Sequence, residues 1–199
     1  HAAVVVKLLE AGANVNAVCR YRETALILAS QNGHAAVVEK LIEYGADVNA
    51  VCSYGDTALM WASMNGHSDV VEKLIEYGAD VNAFDPRVNT ALMKASMYDH
   101  AAVVVKLLEA GANVNATNIS GRTALICASS NGNNAAVIEK LLEAGADVNS
   151  ADIGGRTALQ GVSMSGNADI VEKLLEAGAN VNATNTDGWT ALIEASRNG

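Results

Sequence analysis

Proline is nearly missing from this 199-residue chain, with a single copy, and aromatic residues are scarce, at one Phe, two Trp and five Tyr. So little proline leaves no Pro-rich stretch to divide the chain, which reads as one elongated domain. No apolar run approaches the roughly 18 residues that a membrane helix needs, and His1 opens no signal-peptide pattern. No membrane association is therefore expected, and a cytoplasmic location is. Basic residues are outnumbered, 13 Lys and Arg against 22 Asp and Glu, which gives a net charge of −9 and speaks against nucleic acid as a partner. Cysteine is limited to Cys19, Cys52 and Cys127, too few for a disulfide scaffold.

What the chain has in abundance is repetition. The tripeptide Thr-Ala-Leu returns at Thr24, Thr57, Thr90, Thr123, Thr157 and Thr190, at intervals of 33, 33, 33, 34 and 33 residues. The one longer interval contains an extra residue in the Asn133–Asn134 pair. Gly-Ala-Asp/Asn-Val-Asn keeps the same beat from Gly12, Gly45, Gly78, Gly111, Gly145 and Gly178. A unit this small cannot bury its own apolar face, so it must stack on copies of itself.

Within the unit, local signals predict two antiparallel helices. Thr57 caps a first helix through Ala58, Leu59, Ala62 and Ser63, and Asn65-Gly66 supplies a left-handed stop. The second helix carries Val70, Val71, Leu74 and Ile75 as one apolar stripe, with Glu72, Lys73 and Glu76 toward water. Gly78 ends it, and a variable turn leads to the next Thr.

In these residues the chain resembles the ankyrin repeat family from end to end. The resemblance implies an all-α solenoid of stacked helix-turn-helix units with projecting β-turn fingers. Full repeats are expected over 19–51, 52–84, 85–117, 118–151 and 152–184, with partial ones over 1–18 and 185–199. The family's Thr-Pro-Leu-His is altered throughout. Ala25, Ala58, Ala91, Ala124, Ala158 and Ala191 replace the proline, and Ile27, Met60, Met93, Ile126, Gln160 and Ile193 replace the histidine. Losing that His removes a hydrogen bond that ties the first helix to its surroundings, so weaker polar cross-linking is expected.

The residues offer no catalytic, cofactor or metal constellation, and no enzyme activity is expected. His1, His34, His67 and His100 occupy one repeat position, so successive rings stand roughly 10 Å apart and cannot share a zinc ion. By the same spacing Cys19 and Cys52 lie beyond disulfide reach, which predicts free thiols and a reducing compartment. Asp56, Asp85 and Asp99 make no acid pair, because Asp85 holds the finger's structural aspartate position and Asp99 replaces a helix-stop glycine. The glycosylation sequons at Asn115, Asn118 and Asn182 are by-products of the loop sequence.

Charge is divided between two faces. The second helices and their loops carry six Lys against fifteen carboxylates, a balance of −9, while the fingers and first helices carry seven of each sign. The acidic back is a solubility device.

The front is where the repeats differ. One first-helix position reads Leu28, Trp61, Lys94, Cys127, Gly161 and Glu194, and another reads Gln31, Met64, Met97, Ser130, Met164 and Arg197. In the family, the first helix and finger tips line a concave groove that grips a protein or peptide partner. Enrichment in Trp, Tyr, Met and Arg marks interface centres. The expected partner-binding residues are Tyr21, Tyr54, Asp56, Trp61, Met64, Arg87, Lys94, Met97, Tyr98, Arg122, Arg156 and Trp189. A self-assembling structural array is the alternative expectation. The sequence begins and ends within repeats, leaving Val4, Val5, Leu8 and Leu9, and Leu192 and Ile193, for head-to-tail self-association. Gly161 and Val162 predict that the repeat from Asp152 packs worst, with Asp99 a second strained point.

Overall fold

A computed structural model describes residues 1–130 and 134–198. The first helices of the repeats are α2 (Ala25–Gln31), α4 (Ala58–Met64), α6 (Ala91–Met97), α8 (Ala124–Ser129), α10 (Ala158–Ser165) and α12 (Ala191–Asn198). The second helices are α1 (Ala2–Glu10), α3 (Ala35–Glu43), α5 (Ser68–Glu76), α7 (Ala101–Glu109), α9 (Ala135–Glu143) and α11 (Ala168–Glu176). Each α-helical pair packs on the next, first helix on first and second on second.

The first helices begin where Thr-Ala-Leu places them. In all six copies the threonine Oγ1 accepts the backbone N–H three residues on, at 3.2–3.5 Å. Their buried Ala62, Ala95 and Ala128 have no exposed surface, and such small side chains let neighbouring helices approach closely. The second helices supply the apolar stripe: Val70, Val71 and Leu74 are buried, as are Val103, Val104 and Leu107 one repeat later. Ile75 is only partly covered against the same core.

The chain between each loop and the next threonine forms the finger. Isolated antiparallel bridges join Val18 to Thr24, Val51 to Thr57, Phe84 to Thr90 and Ala151 to Thr157. Neighbouring fingers are hydrogen-bonded by a backbone N–H given to the previous finger's carbonyl: Ser53 to Tyr21, Ile119 to Arg87, Ile153 to Ser120 and Thr186 to Gly154, at 2.8–3.1 Å.

Polar cross-linking is stronger than the loss of the Thr-Pro-Leu-His histidine predicts, because other side chains do the work. The asparagine of each Val-Asn loop reaches into the next repeat: Asn49 Nδ2 donates to the Gly78 carbonyl at 3.3 Å, and its Oδ1 accepts the Asp80 N–H at 2.8 Å. Asn16, Asn82, Asn115 and Asn149 make the same two bonds one repeat apart. The rings of His67 and His100 contact the carbonyl oxygens of Gln31 and Met64, each at 3.0 Å. Gln160 restores the missing histidine's work in its own repeat, bonding to its threonine cap and donating to the carbonyls of Ala183 and Trp189.

Two of these bonds explain which glycines are needed. A Cβ at Gly33 would stand 2.7 Å from the His67 ring, and one at Gly66 would stand 2.5 Å from the His100 ring. Asp99, at the same helix stop with φ 61°, carries a Cβ where the next repeat offers Asn134 in place of His. Asn134 is buried, precedes α9 without a side-chain capping bond, and donates to the Ser96 carbonyl at 3.0 Å. Its neighbour Asn133, with which it was expected to share the extra residue of the long interval, lies outside the described residues.

The two weak points expected from the sequence, Gly161 and Asp99, differ in what surrounds them. A Cβ at Gly161 would meet Ser129 Oγ at 2.8 Å and its carbonyl oxygen at 3.2 Å, so the glycine permits α10 to lie close to α8. That repeat also has the full capping box of Thr157 and Gln160. Asp99 has the strained left-handed backbone expected of it, and Val88 (φ 60°) in the same repeat and Arg22 (φ 58°) in the first finger are left-handed too. Equivalent finger positions hold Gly55, Gly121, Gly155 and Gly188 at φ 71–78°. A β-branched residue in this region costs about 1–2 kcal/mol, of which the greater chain entropy of glycine returns part. Val88→Gly should stabilise the protein by about 1 kcal/mol, read as a higher urea midpoint at unchanged slope.

Candidate functional site

Between the fingers at 51–57 and 84–90 and the exposed sides of α4 and α6 lies an open cleft of about 490 Å³. Trp61 and Met64 project from α4, and Lys94 and Met97 from α6, because each pair falls three residues apart on one helix face. These side chains are partly buried against the repeat core or one another, while Tyr54 at a finger tip and Tyr98 at the end of α6 are 60% and 47% exposed. Met93 closes the floor and is buried.

The polar side of the cleft is an ion triad spanning two repeats. Lys94 Nζ lies 2.8 Å from Asp56 Oδ1 and 3.0 Å from Asp85 Oδ2. The bond to Asp85 is a hydrogen bond, and the approach to Asp56 is a charge contact without hydrogen-bond alignment. Asp85 is also the organiser of its own finger, accepting the N–H groups of Arg87 and Asn89 and the Asn89 side-chain amide. Burial works to raise the Asp85 pKa, but the bonds from Asn89 and the Lys94 ammonium outweigh it and hold the carboxyl below its ordinary value. For Lys94, burial favours the neutral amine, and the two carboxylates outweigh it and keep the ammonium charged above the ordinary lysine value. With Arg87 exposed on the rim, the cleft holds two carboxylates and two cations.

Eight expected site residues thus meet in one place: Tyr54, Asp56, Trp61, Met64, Arg87, Lys94, Met97 and Tyr98. Four do not join them. Tyr21 is exposed on the first finger and gives its carbonyl to Ser53. Arg122 pairs with Asp152 of the next finger at 3.5 Å, and Arg156 lines the same shallow finger-tip depression as Arg122. Trp189 lies beneath the Arg197 guanidinium, 4.9 Å from the ring centroid.

Sequence reasoning missed Asp85 and Met93 as cleft residues, and it placed Pro86 and Asn89 among the groove's finger tips without counting them as partner-binding residues. The signal was present for Pro86, the chain's only proline, and absent for Met93, whose type and position match the gap-filling Met60.

No cysteine lines the cleft, and Cys52, in the finger beside it, is buried. Burial pushes the Cys127 thiol up to about 11, against a minor opposing effect of Arg122, so it stays a protonated, inert packing group. All three cysteines are free. Among the described residues no three His, Cys, Asp or Glu side chains are grouped as a metal ion requires, and no helix is long and apolar enough to cross a membrane.

The back is laced by exposed pairs between repeats, Lys106 with Glu72 at 2.6 Å and Lys173 with Glu139 at 3.0 Å. Such pairs contribute little individually.

A one-dimensional stack of helix pairs, each packed on the next, defines a repeat solenoid. The sequence pattern of ankyrin repeats, described as three copies, matches residues 1–85, 84–152 and 138–199. The chain belongs to the ankyrin repeat family, whose members are generally non-catalytic protein–protein interaction modules. Among curated proteins, none matches it.

Proposed function

We propose that this chain binds a partner protein through the front of the second and third full repeats, without cofactor or turnover. The observation that carries this reading is the convergence in one cleft of large, partly exposed side chains, Tyr54, Trp61, Met64, Met97 and Tyr98, around fixed charges. Aromatic and Met surfaces provide binding area, and the Asp56–Lys94–Asp85 triad gives the partner direction and register. At comparable positions the repeats from Asn118 and Asp152 offer Cys127 and Gly161, both buried, with Ser130 and Met164, so Met164, 40% exposed, is the one large side chain there and has no aromatic neighbour on its helix to form an anchor with. Three unpaired thiols fit work in a reducing compartment such as the cytoplasm.

The face assignment is tested from behind. Glu72→Lys combined with Glu76→Lys reverses charge on an exposed stretch of α5 far from the cleft chemistry. Equilibrium affinity for the partner should stay within about twofold, with only a salt-dependent change in association rate. Loss of capture by this variant would move recognition to the acidic helices.

A further inference from the structure

The four finger-to-finger hydrogen bonds share one register, and the fifth position in that register is Pro86. Counting from Ser53→Tyr21 and Ile119→Arg87, the donor missing between the second and third fingers is the N–H of residue 86, and the acceptor left over is the Tyr54 carbonyl. Proline has no N–H to give. Its ring instead packs beside Gly55, where an added Cβ would stand 2.4 Å from the proline Cδ, so here the fingers touch through van der Waals contact alone. Both Tyr54 and Pro86 line the cleft, and Tyr54 is 60% exposed. A second group is also uncommitted: Trp61 Nε1, shielded from solvent, has no hydrogen-bond partner.

The cleft therefore combines an unused backbone acceptor with an apolar floor, while Lys94 is held between Asp56 and Asp85 and Arg87 stands exposed on the rim. That combination suits a peptide group next to a large uncharged side chain, since a cationic anchor would find both carboxylates already engaged by Lys94 and an acidic one would meet only Arg87 on the rim, away from the apolar floor. We infer that the cleft takes an extended segment of a partner protein, whose backbone N–H bonds to the Tyr54 carbonyl that Pro86 leaves without a donor and whose apolar side chain inserts against Trp61 and Met97. The inference rests on the reading of this face as the binding surface. It specifies what that face reads: one backbone amide and one uncharged anchor.

The test uses peptides selected from a phage-displayed random library on the whole chain, followed by N-methylation of each peptide amide in turn. One N-methyl position, adjacent to a large apolar residue, should weaken binding to the wild type about five- to tenfold, the worth of one hydrogen bond. Pro86→Ala supplies the missing N–H from within the chain. Its new amide should be protected from hydrogen exchange like those of Ser53 and Ile119, the parent peptide should bind about five- to tenfold more weakly, and the N-methyl effect should vanish. If the new amide exchanges freely, or if no N-methyl position responds to Pro86→Ala, the inference is overturned. Should the same peptides still depend on Trp61, that failure leaves the binding face standing. Selected peptides indifferent to Trp61→Ala would overturn both.

Discussion

Trp61→Ala should reduce affinity for the partner by about 30- to 1000-fold, the 2–4 kcal/mol typical of a tryptophan at an interface centre. Trp61 is the largest side chain in the cleft, partly exposed, flanked by Met64 on its own helix and by Met97 on α6. It lies outside the fully buried core, whose large members at this level are Leu59 and Met60. Far-ultraviolet circular dichroism should therefore be unchanged and the melting temperature nearly so. A matched truncation at Trp189, which lies under Arg197 away from the cleft, serves as the control and should cost little affinity. Equal losses at the two tryptophans would mean that aromatic content along the fingers matters more than the cleft.

Lys94→Ala carries the largest expected effect on stability. It leaves Asp56 and Asp85, both nearly buried, facing each other with no cation between them. Removing one member of a buried ion pair is strongly unfavourable, and about 3 kcal/mol is expected here. Adding Asp56→Asn should recover part of that loss, because it removes one of the two uncompensated charges. The pH dependence follows from the shifts. Asp85 has a lowered folded-state pKa, so its contribution is present above the unfolded aspartate value and disappears as pH falls through the lowered folded value. Lys94 has a raised one, so its contribution is complete below the unfolded lysine value and disappears as pH rises through the raised folded value. The wild type should thus hold the triad's stabilisation throughout the neutral range. The deficit of Lys94→Ala should narrow in acid, where Asp85, deprived of its ammonium partner, takes up a proton. Urea titrations at neutral and acidic pH measure both effects.

Much of this architecture could be read directly from the chain because its signals are local. Each Thr-Ala-Leu threonine caps the helix that follows it, and the Val-Val-x-x-Leu-Ile stripe buries the face predicted for it. The cleft was partly legible for a different reason. At positions where the fold tolerates change, the second and third full repeats carry Trp61, Met64, Lys94 and Met97. What stayed hidden depends on neighbours from another repeat. Asp85 reads as a finger residue and is also half of Lys94's counter-charge, and Asp56 reaches that lysine from the repeat before. Asn49 and its equivalents look like parts of a loop motif, yet they join consecutive repeats. Arg122 and Trp189 were selected by residue type and finger position, and their nearest partners lie elsewhere. Val88 was overlooked, although Gly55, Gly121, Gly155 and Gly188 at the equivalent positions mark a place in the turn that imposes a positive φ.

The most direct measurement is amide hydrogen exchange on the free chain and on its complex with the captured partner. Protection on binding should concentrate in α4, α6 and the fingers at 51–57 and 84–90, with α5 and α7 unchanged on their outer faces. Protection confined to the second helices, or spread evenly along all six first helices, would contradict a binding site centred on the Trp61–Lys94 cleft.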